Sequence, residues 1–239
     1  MKALSISIHM DDSETIGGTL SLLAKRGVDV TILNIKPYMH HIGGIPEANA
    51  QSMKAAEVLG AKKIILDYSG TRYYKCNEKT VRMTEKVIRD INPDIVFVMH
   101  PRDNHIEHVE CARTAREALF AAAVDHIVPN EIYSYESGAK QSMCYFTPDL
   151  YIDVSSELAE LEACDKVFNQ KHADGNHLWD MRQRYIKFRA SECGLDYAEG
   201  LKIIKNPNLN NDFFLRQILE DKFRWGGNGM YWPESELFR

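Results

Sequence analysis

The sequence predicts an α/β fold: a Rossmann-like, doubly wound, mostly parallel sheet, followed by a C-terminal helical and aromatic extension. Three observations carry this. Short apolar runs alternate with helical-period segments through the first half of the chain, which is the pattern of βαβ units. The run Asp94–Met99, "DIVFVM", is almost continuously apolar, as expected of a parallel strand covered on both faces. The first two helical segments each run into a glycine, Gly27 and Gly60, the residue best suited to a left-handed C-cap.

Taken in order, Ala3–Ile8 alternates like a strand. Gly17–Arg26 reads as a helix with Leu20, Leu23 and Ala24 on one side. Val28–Ile35 is a second strand, Pro46–Leu59 a helix and Lys63–Asp67 a third strand. Asn77–Ile91 places Val81, Val87, Ile88 and Ile91 at core spacing, and Pro93 stops it. Asp94–Met99 is the fourth strand and Ile106–Ala123 a long Ala-rich helix. Beyond Asp125 the pattern loosens. Glu131–Tyr135 and Leu150–Val154 read as further strands, and Ser155–Asn169 and His177–Ser191 as helices. The stretch "NPNLNN", Asn206–Asn211, reads as a linker, dividing a main domain, 1–205, from an extension, 206–239. The extension opens with a short helix and continues as "RWGGNGMYWPESELF", dense in aromatics, which suits packing on the domain or a homo-oligomeric contact.

Composition narrows the function. The chain has 239 residues, 44% hydrophobic and 26% charged, with a net charge of −5, which argues against a nucleic-acid partner. No apolar run approaches the roughly 20 residues of a membrane span. The N-terminal apolar run is too short for a signal peptide and breaks at His9. Five cysteines form no CxxC pair, and the odd count suits a reduced, cytoplasmic compartment.

Two stretches carry chemistry. "SIHMDDSETIGGT", Ser7–Thr19, follows the first strand, and "HPRDNHIEH", His100–His108, follows the fourth. In a doubly wound sheet of order resembling 3-2-1-4-5 these strands are neighbours, and ligands bind at their carboxyl ends. Helix capping needs one polar residue per helix, not a cluster of histidines and acids at both strand ends. The lack of GxGxxG and the charge of Glu14 argue against a dinucleotide loop. His9 and Asp12 are three apart, as are His105 and His108. Two histidines and a carboxylate with open positions suit catalytic zinc, and equally a non-haem iron centre. A further carboxylate, Asp11 or Glu14, suits a base for water activation, and His105 suits a donor to a developing oxyanion.

At these residues the sequence resembles the LmbE/PIG-L family of zinc-dependent N-deacetylases. The family's first motif, roughly A-H-P-D-D-x-E with a Gly-rich helix start, reads here I-H-M-D-D-S-E, then Thr15, Ile16, Gly17, Gly18 and Thr19. Its second, roughly P-x-x-D-x-H-x-D-H, is held by Pro101, Asp103, His105, Glu107 and His108. "GLDYAEGL", Gly194–Leu201, resembles a family tail, and "FTPDLYIDVS", Phe146–Ser155, a family strand. The resemblance covers about Met1 to Ile204. It implies removal of acetyl from an N-acetylated amino sugar conjugate with one Zn2+ per subunit. Carried over by position, His9, Asp12 and His108 bind zinc and Asp11 is the general base, later the acid for the leaving amine. His105 polarises the carbonyl, with Asp103 or Glu107 orienting it.

Met10 replaces the usual proline and Glu107 the usual aspartate. Ala48 and Gln51 stand where many relatives carry R-x-x-E, which removes a bidentate anion donor there. His40 and His41, after the second strand, are substrate-contact candidates on the same rim, and Arg72, Tyr73 and Tyr74 candidates for lining a sugar pocket. Two rival classes remain. One is an iron oxygenase, which the alternating pattern opposes. The other is a non-catalytic metal or sugar-binding module, which has little use for a base beside the metal.

Overall fold

Lys2–Ser7 forms strand β1, and every residue from Ala3 to Ser7 is buried, because helices cover both faces of the sheet. The structure, a computed structural model, describes residues 1–36, 45–66, 73–137, 146–169, 177–205 and 213–226. After β1 come α1 (Gly17–Lys25), β2 (Asp29–Asn34), α2 (Ile45–Val58), β3 (Lys62–Ile65), α3 (Glu78–Ile91) and β4 (Ile95–Met99). Then follow α4 (Ile106–Val124), β5 (Glu131–Tyr135), β6 (Leu150–Asp153), α5 (Leu158–Asn169), α6 (His177–Ser191), β7 (Ala198–Lys205), α7 (Phe214–Ile218) and β8 (Phe223–Trp225).

Helix boundaries have local causes. Asn77 caps α3, accepting from the Thr80 N–H while the Thr80 hydroxyl reaches back to the Asn77 N–H, a reciprocal capping box. Asn92 ends α3 in the left-handed conformation, φ 50°, ahead of Pro93. Gly27 and Gly60, the two expected C-cap glycines, have φ of 82° and 71°.

The sheet order is β3-β2-β1-β4-β5-β7-β6-β8. β1 runs parallel to both β2 and β4, with Leu4 opposite Thr31 on one side and Val96 on the other. β2–β3 and β4–β5 are also parallel. The chain therefore leaves β1 toward one edge and returns to β4 on its other side. The carboxyl ends of β1 and β4 flank the resulting switch point.

The expected 3-2-1-4-5 order is present, and an antiparallel group extends it. β7 pairs with β5 and with β6, and β6 pairs with β8. β7 and β8 are strands that periodicity does not announce. The segment read as a helix from Ser155 begins as a 3-10 turn, Ser155–Glu157, with α5 starting at Leu158. β8 joins the same sheet, and the Phe214 and Leu215 N–H groups donate to the Glu131 carboxylate. Cys111 and Cys164 are buried and Cys76 and Cys193 partly so, all four as free thiols. No helix among the described residues is long and apolar enough to cross a membrane.

Candidate metal centre

Beyond Ser7 the chain turns across the carboxyl edge of the sheet. The Asp12 carboxylate closes this turn by accepting the His9 N–H at 2.8 Å. Side chains of neighbouring elements hold the turn's carbonyls. Asn34, at the end of β2, donates to the His9 carbonyl. Lys63 of β3 and Ser52 of α2 donate to the Met10 carbonyl at 2.8 and 3.1 Å. Met10 is itself fully buried. Proline would fix this turn through its ring; here donors from three elements do so.

The second donor-bearing segment lies between β4 and α4 and runs into the first turn of α4. His105 is the N-cap of α4, and the Asp103 carboxylate accepts its N–H at 2.7 Å. His108 follows in the first turn, pointing back over the sheet edge toward His9.

His9 Nδ1, His108 Nε2 and the Asp12 carboxylate converge, each histidine facing a different one of the two carboxylate oxygens. His9 Nδ1 is 3.2 Å from Asp12 Oδ2 and 3.3 Å from His108 Nε2, which is 3.4 Å from Asp12 Oδ1. A tetrahedral ion with ligands at about 2.05 Å holds them about 3.3 Å apart. The donor set and its spacing thus fit a divalent cation of zinc type. A second cluster, His9, His105 and Glu107, shares His9. A neutral imidazole has one lone pair, so His9 cannot ligate on both sides. Its Nε2 faces the Glu107 carboxylate at 2.9 Å and serves as the donor there.

Both histidines of the donor set are therefore backed by carboxylates, which fix the tautomer and ring orientation. His108 Nδ1 lies 3.0 Å from Asp103 Oδ2 and 2.8 Å from Ser137 Oγ. Of the two residues expected to orient the His105 ring, Glu107 meets it through its backbone N–H, while its carboxylate is directed elsewhere. Asp103 backs His108 and touches His105 only at its backbone, while Glu107 backs His9. The longer glutamate side chain spans from the first turn of α4 to the end of β1.

Electrostatics follow from this crowding. Burial lowers the proton affinity of His9, but Asp12, Glu107 and Asp11 outweigh it and push the ring up to about 10. His108, likewise opposed by burial, is pushed up to about 9 by Asp12 and Asp103. Burial works against ionised Asp12, yet the two histidines hold it well below the usual carboxylate range. Asp11 goes the other way: burial and the adjacent Asp12 charge raise it. Burial and the neighbouring histidines lower His105, so its ring is neutral at pH 7. The His105 Nδ1 accepts the Glu107 N–H at 3.3 Å. The proton of that neutral ring then sits on Nε2.

Other sequence-predicted residues fall elsewhere. Glu14, considered alongside Asp11 as a base, is fully buried and ion-paired with Lys63, and Arg182 donates to its backbone carbonyl. Tyr74, a sugar-pocket candidate, is buried with its hydroxyl 2.6 Å from Thr114 Oγ1, while Tyr73 is exposed. His40, His41, Arg72 and most of the aromatic tail lie outside the described residues. The tail motif has a clear role. Glu199 of β7 accepts the Gly18 N–H at 2.8 Å and the Thr19 N–H and hydroxyl at 2.7 Å, fastening the N-terminus of α1. A Cβ at Gly18 would lie 2.5 Å from Val154, so only glycine permits this approach. Sequence reasoning missed Lys36, Lys63, Asn34 and Ser137. The two lysines had a signal: each sits in or beside an apolar strand, where a lysine needs a partner.

Residues 4–119 match the family model PIG-L, GlcNAc-PI de-N-acetylase. Three solved structures share the fold. 4-Carboxy-2-hydroxymuconate hydratase GalB from Pseudomonas putida is 21% identical, with a TM-score of 0.72 over 89% of this chain and 99% of its own. A conserved protein of Thermus thermophilus is 21% identical, with 0.74 over 87% and 95%. N,N'-diacetylchitobiose deacetylase from Pyrococcus horikoshii is 20% identical, with 0.68 over 85% and 83%. The matched segment contains both halves of the donor set, from His9 to His108, and residues 4–119 form a PIG-L (LmbE-like) family domain.

Proposed function

We propose that this chain is a metal-dependent N-deacetylase that hydrolyses the acetamido group of an N-acetyl amino sugar conjugate. The observation that carries the reading is the convergent three-donor set of His9, Asp12 and His108 with a further carboxylate, Asp11, whose proton affinity is raised by burial and by the neighbouring Asp12. His9, Asp12 and His108 are the residues that would hold the ion, and zinc is the metal proposed. When bound, a divalent cation supplies Lewis acidity toward an amide carbonyl and an attacking water.

The protein's own groups do the rest. Asp11, its proton affinity raised by burial and by Asp12, takes a proton from water as the oxygen attacks the amide carbon. It then delivers that proton to the nitrogen as the C–N bond breaks, giving acetate and an amine. His105, neutral and protonated on Nε2, donates a hydrogen bond to the carbonyl oxygen as negative charge builds there. His40 and His41 are proposed as contacts to the sugar.

The hydratase neighbour sets the rival reading, in which base-activated water adds to a carbon–carbon double bond. That reaction has no leaving amine to protonate. Acetate release from a panel of N-acetylglucosamine conjugates, by protein of measured metal content, decides. Metal-dependent acetate release is expected. No acetate from metal-replete protein across the panel would overturn the deacetylase reading and revive the hydratase or binding-module alternatives.

A further inference from the structure

Glu107 is the point where four segments of the rim meet. Its Oε2 faces His9 Nε2 at 2.9 Å, while its Oε1 accepts from Lys36 Nζ at 2.8 Å and from the Tyr74 N–H at 2.5 Å. Lys36 stands just past the end of β2, and its own N–H donates to the Ile8 carbonyl at 2.8 Å. The lysine therefore touches the turn that carries His9 directly through its backbone and indirectly, through the Glu107 carboxylate, with its side chain. Its side chain is 10% exposed and that of Glu107 is 9%. A buried ion pair is on balance a weak stabiliser, because desolvation offsets most of the attraction. Stability alone thus gives little reason for a lysine here.

We propose that Lys36 is a positioning residue for the metal centre: by engaging Oε1 of Glu107 it aims Oε2 at His9 Nε2, so that His9 presents Nδ1 to the ion held with Asp12 and His108. The proposal rests on the metal-centre reading above. An ionised carboxylate only accepts hydrogen bonds. His9 must therefore donate from Nε2, which leaves the Nδ1 lone pair for the ion. Without Lys36 the Glu107 carboxylate keeps one donor on Oε1, the Tyr74 N–H, and can swing away from His9.

The test is zinc affinity, measured by titrating metal-free protein against a chromophoric chelator, so that it reads binding and not turnover. Outer partners of ligating histidines are worth about 10–100-fold in metal affinity. Lys36→Met is expected to weaken zinc binding about tenfold and to shift the visible spectrum of the Co2+-loaded protein. Lys36→Arg, which keeps a cation and a donor, is expected to restore most of the loss. Glu107→Gln should weaken binding too, and adding Lys36→Met to it should cost little more, because the lysine acts through the glutamate. Wild-type zinc affinity with an unchanged cobalt spectrum in Lys36→Met would overturn the proposal, as would fully additive losses in the double variant. Should Lys36→Met not fold, wild-type zinc affinity in Glu107→Gln alone would overturn it. A wild-type protein that holds no divalent ion sinks both this inference and the metal-centre reading. One that binds zinc through Lys36 and Glu107 as described but releases no acetate sinks only the deacetylase assignment.

Discussion

In the parallel half of the sheet, β3-β2-β1-β4-β5, strand ends deliver chemistry: His9 and Asp12 follow β1, and His105 and His108 follow β4. In the antiparallel half, β7-β6-β8, none of the three donors appears, yet two groups from that part of the chain reach back to the site loop. Glu199 of β7 fastens the start of α1, and Arg182 of α6 pairs with Asp165 at 2.7 and 2.8 Å while donating to the Glu14 carbonyl. The difference teaches that ligand supply and ligand placement are separate tasks here. Substitutions in the first half should cost chemistry at constant stability, and those in the second should cost stability first.

The sharpest break of that comparison is Asp11→Asn. It keeps the shape of the turn and removes the proposed base, so kcat should fall about 1000-fold. Bound zinc and Tm should stay near wild type, as checked by acetate release alongside metal analysis and thermal unfolding. A loss of metal in step with activity would move Asp11 into the ligand set.

Metal loading should depend on pH nearly as steeply. In the metal-free protein His9 and His108 hold protons up to about 10 and about 9, and the ion must displace them. Near neutral pH zinc affinity should therefore rise by up to about 100-fold per pH unit, flattening above the higher value. Calorimetry in buffers of different ionisation enthalpy counts the protons released, and close to two are expected near pH 7. The sign for stability runs opposite. Both histidines are raised on folding, so their contribution to the metal-free fold is complete below about 6.5 and is lost as pH climbs through 9 to 10.

For the second half, Glu199→Ala strands the Gly18 and Thr19 N–H groups in a buried place. A loss of about 2 kcal/mol is expected, read as a fall in Tm of about 4–8 °C. The smallest effect should come from Lys86→Ala, which removes an exposed pair with Asp90 on α3 and should shift stability by less than about 0.5 kcal/mol in denaturant unfolding.

The parallel half was legible because its signals are local. "DIVFVM" announces a doubly covered strand from its own residues, and Pro93 and Gly60 mark helix ends where they stand. His9 and Asp12 could be singled out by residue type and spacing, and so could His108. What brings them together is the β1–β4 adjacency, which the doubly wound pattern implies. The antiparallel half was not legible in the same way. "AEGLKIIK" has no strict alternation, and it becomes β7 through partners on β5 and β6 distant in sequence. The backing groups of the centre were equally hidden. Nothing near Lys36 or Ser137 in sequence names Glu107 or His108 as its partner. Motif matching left open whether Asp103 or Glu107 orients His105, and it gave no sign that the Glu107 carboxylate would face His9 while its backbone N–H meets His105.

The clasp of Glu199 on the start of α1 sets an order of assembly. A chain emerging from the ribosome displays His9, Asp12 and His108 well before the glutamate that braces their loop has been synthesised. Until β7 forms, the Gly18 and Thr19 N–H groups lack the carboxylate that accepts them in the finished fold, so the start of α1 is expected to set only once nearly the whole chain has been made.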